Sequence, residues 1–293
     1  MTIEAKIVAH SRHAISGKEI ITYSLTYPRF IHSEFMTHRV FSRNASSSRA
    51  IPVLKQIEMV DKNPAIPLAF TRNKAGMQGG ELLTGGEHER AVQAWLDGRD
   101  RAVATAKALA ALEVHKQYAN RVIEPYSHIS VVCTATEFDN FFSLRYHSMA
   151  QPEICSLAMA MWEAKEKSTA VILDPGYWHM PYYGDGYWCG AGKSSDHTSA
   201  DALKISTARC ARVSYLTHEG KTPTFEEDVA LYMRLVGSQP IHASPAEHQA
   251  FVNYPDVKTP SGNFFGGWVQ HRKMLPNENI REFDLEAALK SFN

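Results

Sequence analysis

What this sequence lacks first is an excess of charge. Lys+Arg and Asp+Glu both number 31, so the 293-residue chain carries no global field to recruit nucleic acid or an anionic membrane. Any phosphate binding must come from a local cluster. Cysteine is scarce: Cys133, Cys155, Cys189 and Cys210 are scattered with no C-x-x-C pair, which argues against a disulfide framework and a cysteine zinc site. No uninterrupted apolar run approaches the length of a membrane span. The first residues hold Glu4 and Lys6 and no long apolar core, unlike a signal peptide. A cytoplasmic protein is expected. Hydrophobic content of 44% and charged content of 21% are those of an ordinary globular chain, long enough for one large domain or two modest ones.

What is present is an unusual stretch from Thr37 to Ala50, THRVFSRNASSSRA. His38, Arg39 and Arg43 lead into an amide, closely spaced serines and Arg49, with no carboxylate among them. Guanidinium forks, short hydroxyls and backbone N–H groups are what phosphate oxygens need; composition alone is equally that of an exposed polar loop. Before it, Ile20 to Thr26 alternates like a strand, and Phe30 to Phe41 carries apolar residues at helical spacing. Residues 51–85 hold prolines and a Gly-rich run and read as a long, partly mobile connection. Glu87 to Val122 predicts one or two long helices with a possible break at Gly98. Ile129 to Thr134 is a buried strand or a helix start, and Phe138 to Lys167 predicts a second strong helix.

Asp174 to Thr198 is aromatic, Gly-rich and nonperiodic, as in a packed surface excursion or an active-site lid. Two further helices are predicted over Lys204 to Tyr215 and Glu226 to Val236, and a short one near Leu285. In Asn140 to Ile154, NFFSLRYHSMAQPEI, Asn140, Arg145 and Gln151 punctuate an apolar helix, and a buried Arg145 would need an anionic or carbonyl partner. HASPAEH (His242 to His248) offers metal-like residue types, but Pro245 argues against the continuous helix of an H-E-x-x-H zinc site. A helix N-terminus with Ser244 as cap fits it better, and no metal is expected.

The stretch from Thr37 resembles the signature of the flavin-dependent thymidylate synthases, R-H-R-x-x-S-x-N-E-x-S-x-R-Y. His38, Arg39, Ser42, Asn44, Ser47 and Arg49 stand at matching positions. Asn140, Leu144, Arg145, Ala150, Gln151, Glu153 and Ile154 resemble the second motif of that family, and RVIEPYSHI (Arg121 to Ile129) the segment before it. ARCARVSY (Ala208 to Tyr215) and HASPAEH resemble the family's N-terminal region but follow the second motif here, as in a circular permutation. QHRKMLPNE (Gln270 to Glu278) resembles a degraded second copy of the signature, with Leu275 in place of its serine.

The resemblance implies an α+β fold, a mostly antiparallel central sheet flanked by long helices. It implies one catalytic domain over 1–293: a signature and second-motif part (1–170), an aromatic, Gly-rich insertion (171–200) and a permuted N-terminal-like part (201–293). It also implies a homotetramer, with active sites assembled from several subunits. The implied activity is one-carbon transfer from methylenetetrahydrofolate to C5 of a pyrimidine deoxynucleoside monophosphate through FAD, with NADPH as reductant if the outcome is methylation. By the same resemblance His38, Arg39, Ser42, Asn44, Asn140 and His248 hold flavin. Ser46, Ser47 and Arg49 take the nucleotide phosphate and sugar, Glu34 lies in the substrate site, and Arg145 addresses the pyrimidine edge and is catalytic. No nucleophilic cysteine is implied. Thr37, Ala45 and Ala50 depart from the signature's first Arg, its Glu and its Tyr. They leave open uracil or cytosine as the base, and methyl or hydroxymethyl as the product. Glu278, Tyr183 and Trp188 are candidates to replace what is lost. A flavin- or nucleotide-binding homologue without catalysis is the remaining alternative.

Overall fold

The computed structural model describes residues 2–193, 196–214, 222–238, 240–257, 259, 261–276, 278–279 and 282–290. Tyr215, where the helix expected from Lys204 ends, and Asn277 of the second signature-like copy lie outside the described residues.

A hairpin of β1 (Glu4–His13) and β2 (Glu19–Pro28) opens the chain. After a short turn come α1 (His32–Met36), β3 (Ser42–Ala45), α2 (Val53–Lys62), α3 (Gly85–Ala111) and α4 (Lys116–Ala119). The second motif and its lead-in supply β4 (His128–Ala135), α5 (Asp139–Arg145) and α6 (Pro152–Glu166). Three short strands follow, β5 (Val171–Leu173), β6 (Trp178–His179) and β7 (Tyr187–Trp188), then α7 (Ser199–Ala211) and α8 (Phe225–Leu235). The chain closes with β8 (Ala250–Val252), β9 (Trp268–Gln270) and α9 (Leu285–Lys290). No described helix is long and apolar enough to cross a membrane.

A five-stranded sheet runs β3-β4-β2-β1-β5 and is antiparallel except where β5 joins β1; a four-stranded sheet runs β7-β6-β8-β9. The fold is therefore α+β with a mostly antiparallel central sheet, as expected. Both faces of β2 are covered, which explains its unusual burial. Ile21, Tyr23, Leu25 and Tyr27 point to the main core with Phe35, Phe141, Leu157 and Met161 from α1, α5 and α6. Each such side chain contributes about 1.5–3 kcal/mol on burial. The alternate residue Ile20 enters a second core with Leu173, Val252, Phe264 and Trp268, and Thr22 on that face is fully buried too. The period of two thus sorts an apolar row into one interior and a mixed row into another.

Several elements differ from expectation for identifiable reasons. The helix predicted from Phe138 to Lys167 is two helices, because Pro152 occupies the first turn of α6 and holds Gln151 extended (φ −57°, ψ 137°). Helix α3 runs straight through Gly98, where a Cβ would stand 2.6 Å from the Tyr126 hydroxyl: the glycine admits a close neighbour rather than ending the helix. Residues 51–85 contain α2. Ser244 begins a four-residue 3-10 turn capped by Ala243, not an α-helix that it caps itself. The aromatic segment 174–198 contributes β6 and β7 to the second sheet, with Trp178 against Phe251 at 5.1 Å between ring centroids.

Candidate functional site

The signature begins where α1 ends. Arg43 Nη1 donates to the carbonyl oxygens of Met36 and His38, each at 3.0 Å, and so closes the chain back on itself. That nitrogen of the guanidinium is engaged by backbone. The closure tucks His38 between two rings, stacked on Phe41 at 5.7 Å and edge-on to Phe141 at 4.9 Å. Arg145, in the last turn of α5, donates from Nε to His38 Nε2 at 3.1 Å. Burial first, then the Arg145 and Arg43 charges, lower the His38 pKa to about 4. The imidazole is therefore neutral at physiological pH, with Nε2 as acceptor and the proton on Nδ1. The two terminal nitrogens of Arg145 have no acceptor among the described residues.

Next to this pair, Arg39 and Asn140 are exposed, and neither side chain has a hydrogen-bond partner among the described residues. Glu34 is half-buried on α1 and accepts from the Ser33 hydroxyl at 2.9 Å. Glu34, Arg39 and Asn140 thus lie on α1, on the turn that follows it and on α5, the segments that also carry His38 and Arg145.

Three of the residues expected to hold flavin are instead engaged inside the protein. Ser42 is fully buried and accepts from Gln270 Nε2 at 2.8 Å. Asn44 donates to the Cys210 carbonyl at 2.8 Å, fastening β3 to α7. His248 is fully buried; its Nδ1 meets Thr134 Oγ1 at 2.8 Å, and its Nε2 is buried without a partner. Ser42 and His248 thus have no solvent-facing surface through which to touch a ligand in this conformation.

His248 is one end of a buried chain that sequence reasoning missed. Thr134 Oγ1 meets Thr22 Oγ1 at 2.7 Å, Thr22 meets His179 Nε2 at 2.8 Å, and His179 Nδ1 meets Ser11 Oγ at 2.9 Å. The chain stitches the two sheets together, and burial lowers the pKa of both histidines to about 3. Thr134→Val keeps the shape but leaves Thr22 and His248 each short of a partner. It is expected to lower stability by about 3 kcal/mol, read as a fall in the urea midpoint at constant slope.

Beyond β3 the serines divide their roles. Ser46 Oγ accepts from Ser130 N at 3.2 Å, and Ser48 Oγ donates to Glu124. Ser47 is half-buried and Arg49 exposed. The C-terminal copy is closed upon itself: Arg272 Nε and Lys273 Nζ each meet the Glu278 carboxylate at 2.8 Å, and Arg272 also pairs with Glu247. Glu278 is thus already neutralised and not a free acceptor to replace the signature's glutamate. Tyr183 and Trp188 pack against α7 with Ala202 and Ile205, in a cluster separate from that around His38. No group of three or more His, Cys, Asp or Glu suited to hold a metal occurs among the described residues.

A family model described as thymidylate synthase complementing protein matches residues 4–169, more than half of the 293-residue chain. The chain belongs to this family. The match takes in both the signature and the second motif, the two segments that Arg145 and His38 join in space. No curated protein sequence matches. Among solved structures, the chain is similar to the UMP/dUMP methylase PolB from Streptomyces cacaoi bound with 5-Br dUMP, at 18% identity and TM-score 0.46, covering 57% of this chain and 90% of that one. It is similar also to the same methylase bound with 5-Br UMP, at 18% identity and TM-score 0.47, covering 57% and 89%.

Proposed function

We propose that this protein transfers a one-carbon unit from methylenetetrahydrofolate to C5 of a pyrimidine deoxynucleoside monophosphate, with dUMP to dTMP as the first assignment and FAD as the cofactor. The observation that carries this reading is the 3.1 Å contact from Arg145 to His38, which unites the two family motifs across 107 residues of sequence. The available donors suit the cofactor: Arg39 and Asn140 are exposed and have no hydrogen-bond partner among the described residues, and their groups match the pyrophosphate and carbonyl oxygens of a flavin dinucleotide. Ser42, Asn44 and His248 would act one layer behind, fixing the strand and turn that carry the contacts. When bound, the flavin supplies the carrier chemistry for the one-carbon unit.

The protein's own part is orientation and electrostatics. Neutral His38 accepts from Arg145 Nε and so aims the guanidinium's terminal nitrogens outward. Their donors stabilise negative charge that develops on a pyrimidine carbonyl or ring nitrogen as C5 reacts. Phe41 and Phe141 keep water from one side of that pair. Cys133 and Cys210 are fully buried and burial pushes their thiols well up, so neither serves as a nucleophile. Exposed Arg49, with Ser46 and Ser47, would meet the nucleotide phosphate and sugar, and Glu34 the substrate's donors.

We propose further that 1–293 is one catalytic unit. Residues 201–293 back the signature through Cys210 and Gln270, and the neighbouring strand β4 through His248, consistent with the permuted order; the unit works as a homotetramer. Hydroxymethylation of dCMP or dUMP is the second reading, favoured by Ala45 and Ala50 together with the closed ion pairs of Glu278. Mass analysis of products separates the two. Methylation requires NADPH and adds a methyl group; hydroxymethylation proceeds without net reduction and adds one oxygen more. A colourless protein that takes up no added FAD would contradict both.

A further inference from the structure

The loop from Ser46 to Ile51 owes its shape to residues outside the signature. Asn120 is fully buried, and its Nδ2 donates to two carbonyl oxygens of the loop, Ser48 O at 2.7 Å and Ile51 O at 2.9 Å. Lys116 Nζ holds the carbonyl between them, Ala50 O, at 3.2 Å. Glu124 receives the Ser48 hydroxyl and is itself paired with Arg29 at 3.2 Å and Arg121 at 3.4 Å. Three of the loop's carbonyl oxygens are thus bound to the body of the protein. Among the described residues nothing accepts from the N–H of Ser47 or Ser48. A turn whose carbonyls are tied down and whose successive N–H groups are free is an anion-binding arrangement.

We infer that Asn120 and Glu124 are positioning residues that hold Ser46–Ile51 as a cradle for a phosphomonoester. The inference rests on the proposed nucleotide site and adds to it a device that the signature does not encode. A carboxylate beneath a phosphate site is unfavourable by charge, so Glu124 acts through its geometry. It orients the Ser48 hydroxyl inward, while Arg29 and Arg121 balance its charge. Charge and geometry therefore separate in two variants. Glu124→Gln keeps an acceptor for Ser48 and removes the negative charge; Glu124→Ala removes both.

The test measures binding of a pyrimidine deoxynucleoside 5′-monophosphate and of the matching nucleoside to the FAD-loaded protein, for uracil and cytosine. Asn120→Asp and Glu124→Ala are each expected to weaken monophosphate binding about ten-fold. Nucleoside binding and the flavin absorption spectrum should stay unchanged. Glu124→Gln should bind the monophosphate at least as tightly as the unmodified protein. Retention of the full monophosphate advantage in Asn120→Asp and Glu124→Ala overturns the inference while leaving the proposed function intact. An unmodified protein that binds monophosphate and nucleoside equally contradicts the phosphate site itself. Should Asn120→Asp fail to fold, the Glu124→Ala and Glu124→Gln pair decides alone.

Discussion

Arg145→Ala is expected to lower turnover about a thousandfold while the protein stays folded. One preorganised donor to developing charge is worth about 10²–10³ in rate, and this side chain brings two uncommitted nitrogens to one place. Its loss also leaves His38 Nε2 without its donor, at a stability cost of about 1 kcal/mol. Removing the positive charge takes away one cause of the lowered His38 pKa, so that group should titrate at higher pH in the variant. Arg145→Lys keeps the charge but not the planar fork that serves His38 and a ligand together, and should recover little activity. Release of tritium from C5 of labelled nucleotide, alongside a melting curve, gives both quantities. Activity within ten-fold of the unmodified protein would remove Arg145 from the chemistry.

The second large effect is acid sensitivity. Burial holds the pKa of His38 and His271 at about 4, and that of His179 and His248 at about 3, against an ordinary value of 6.5. In each case the unfolded chain binds the proton more readily than the folded one. Stability is therefore full above about pH 6.5 and falls as pH drops from there toward 4. Each histidine contributes up to about 1.4 kcal/mol per pH unit within that window, so the four together approach the whole stability of a typical domain over one to two units. Unfolding between pH 5 and 4 is expected, with uptake of several protons. Urea midpoints measured at intervals from pH 7 to pH 4.5 check this; a flat profile would show that these imidazoles are not held neutral. Thr134→Val should weaken the His248 end of the chain and move the acid transition upward.

The readable and unreadable parts of this molecule divide along physical lines. Strand β2 was legible because its alternation is strong, and the signature because its side chains stand at fixed short spacings. Arg145 was legible as a buried-leaning arginine in need of a partner, yet the partner, His38, lies 107 residues away and no local pattern announces it. The break between α5 and α6 was legible in principle at Pro152, whose effect on Gln151 is local. The continuity of α3 through Gly98 was not, because the reason is the Tyr126 hydroxyl brought there by the fold. Ser42, Asn44 and His248 carry residue types that suit a ligand, and the fold uses them to join β3, β4 and the C-terminal segment. Asn120 and His179 stood outside every motif, and Glu124 and Gln270 fell in family-like segments at positions to which the resemblance gave no role: polar side chains acquire such roles only when distant groups come within hydrogen-bonding reach.

Loss of the C5 hydrogen is common to methylation and hydroxymethylation, so its release tests the central claim whichever product forms. The protein loaded with FAD and supplied with methylenetetrahydrofolate and NADPH should release tritium from 5-labelled dUMP or dCMP. That release should vanish without flavin and fall about a thousandfold in Arg145→Ala. A flavin-loaded, folded protein that releases no tritium from either nucleotide would contradict the account.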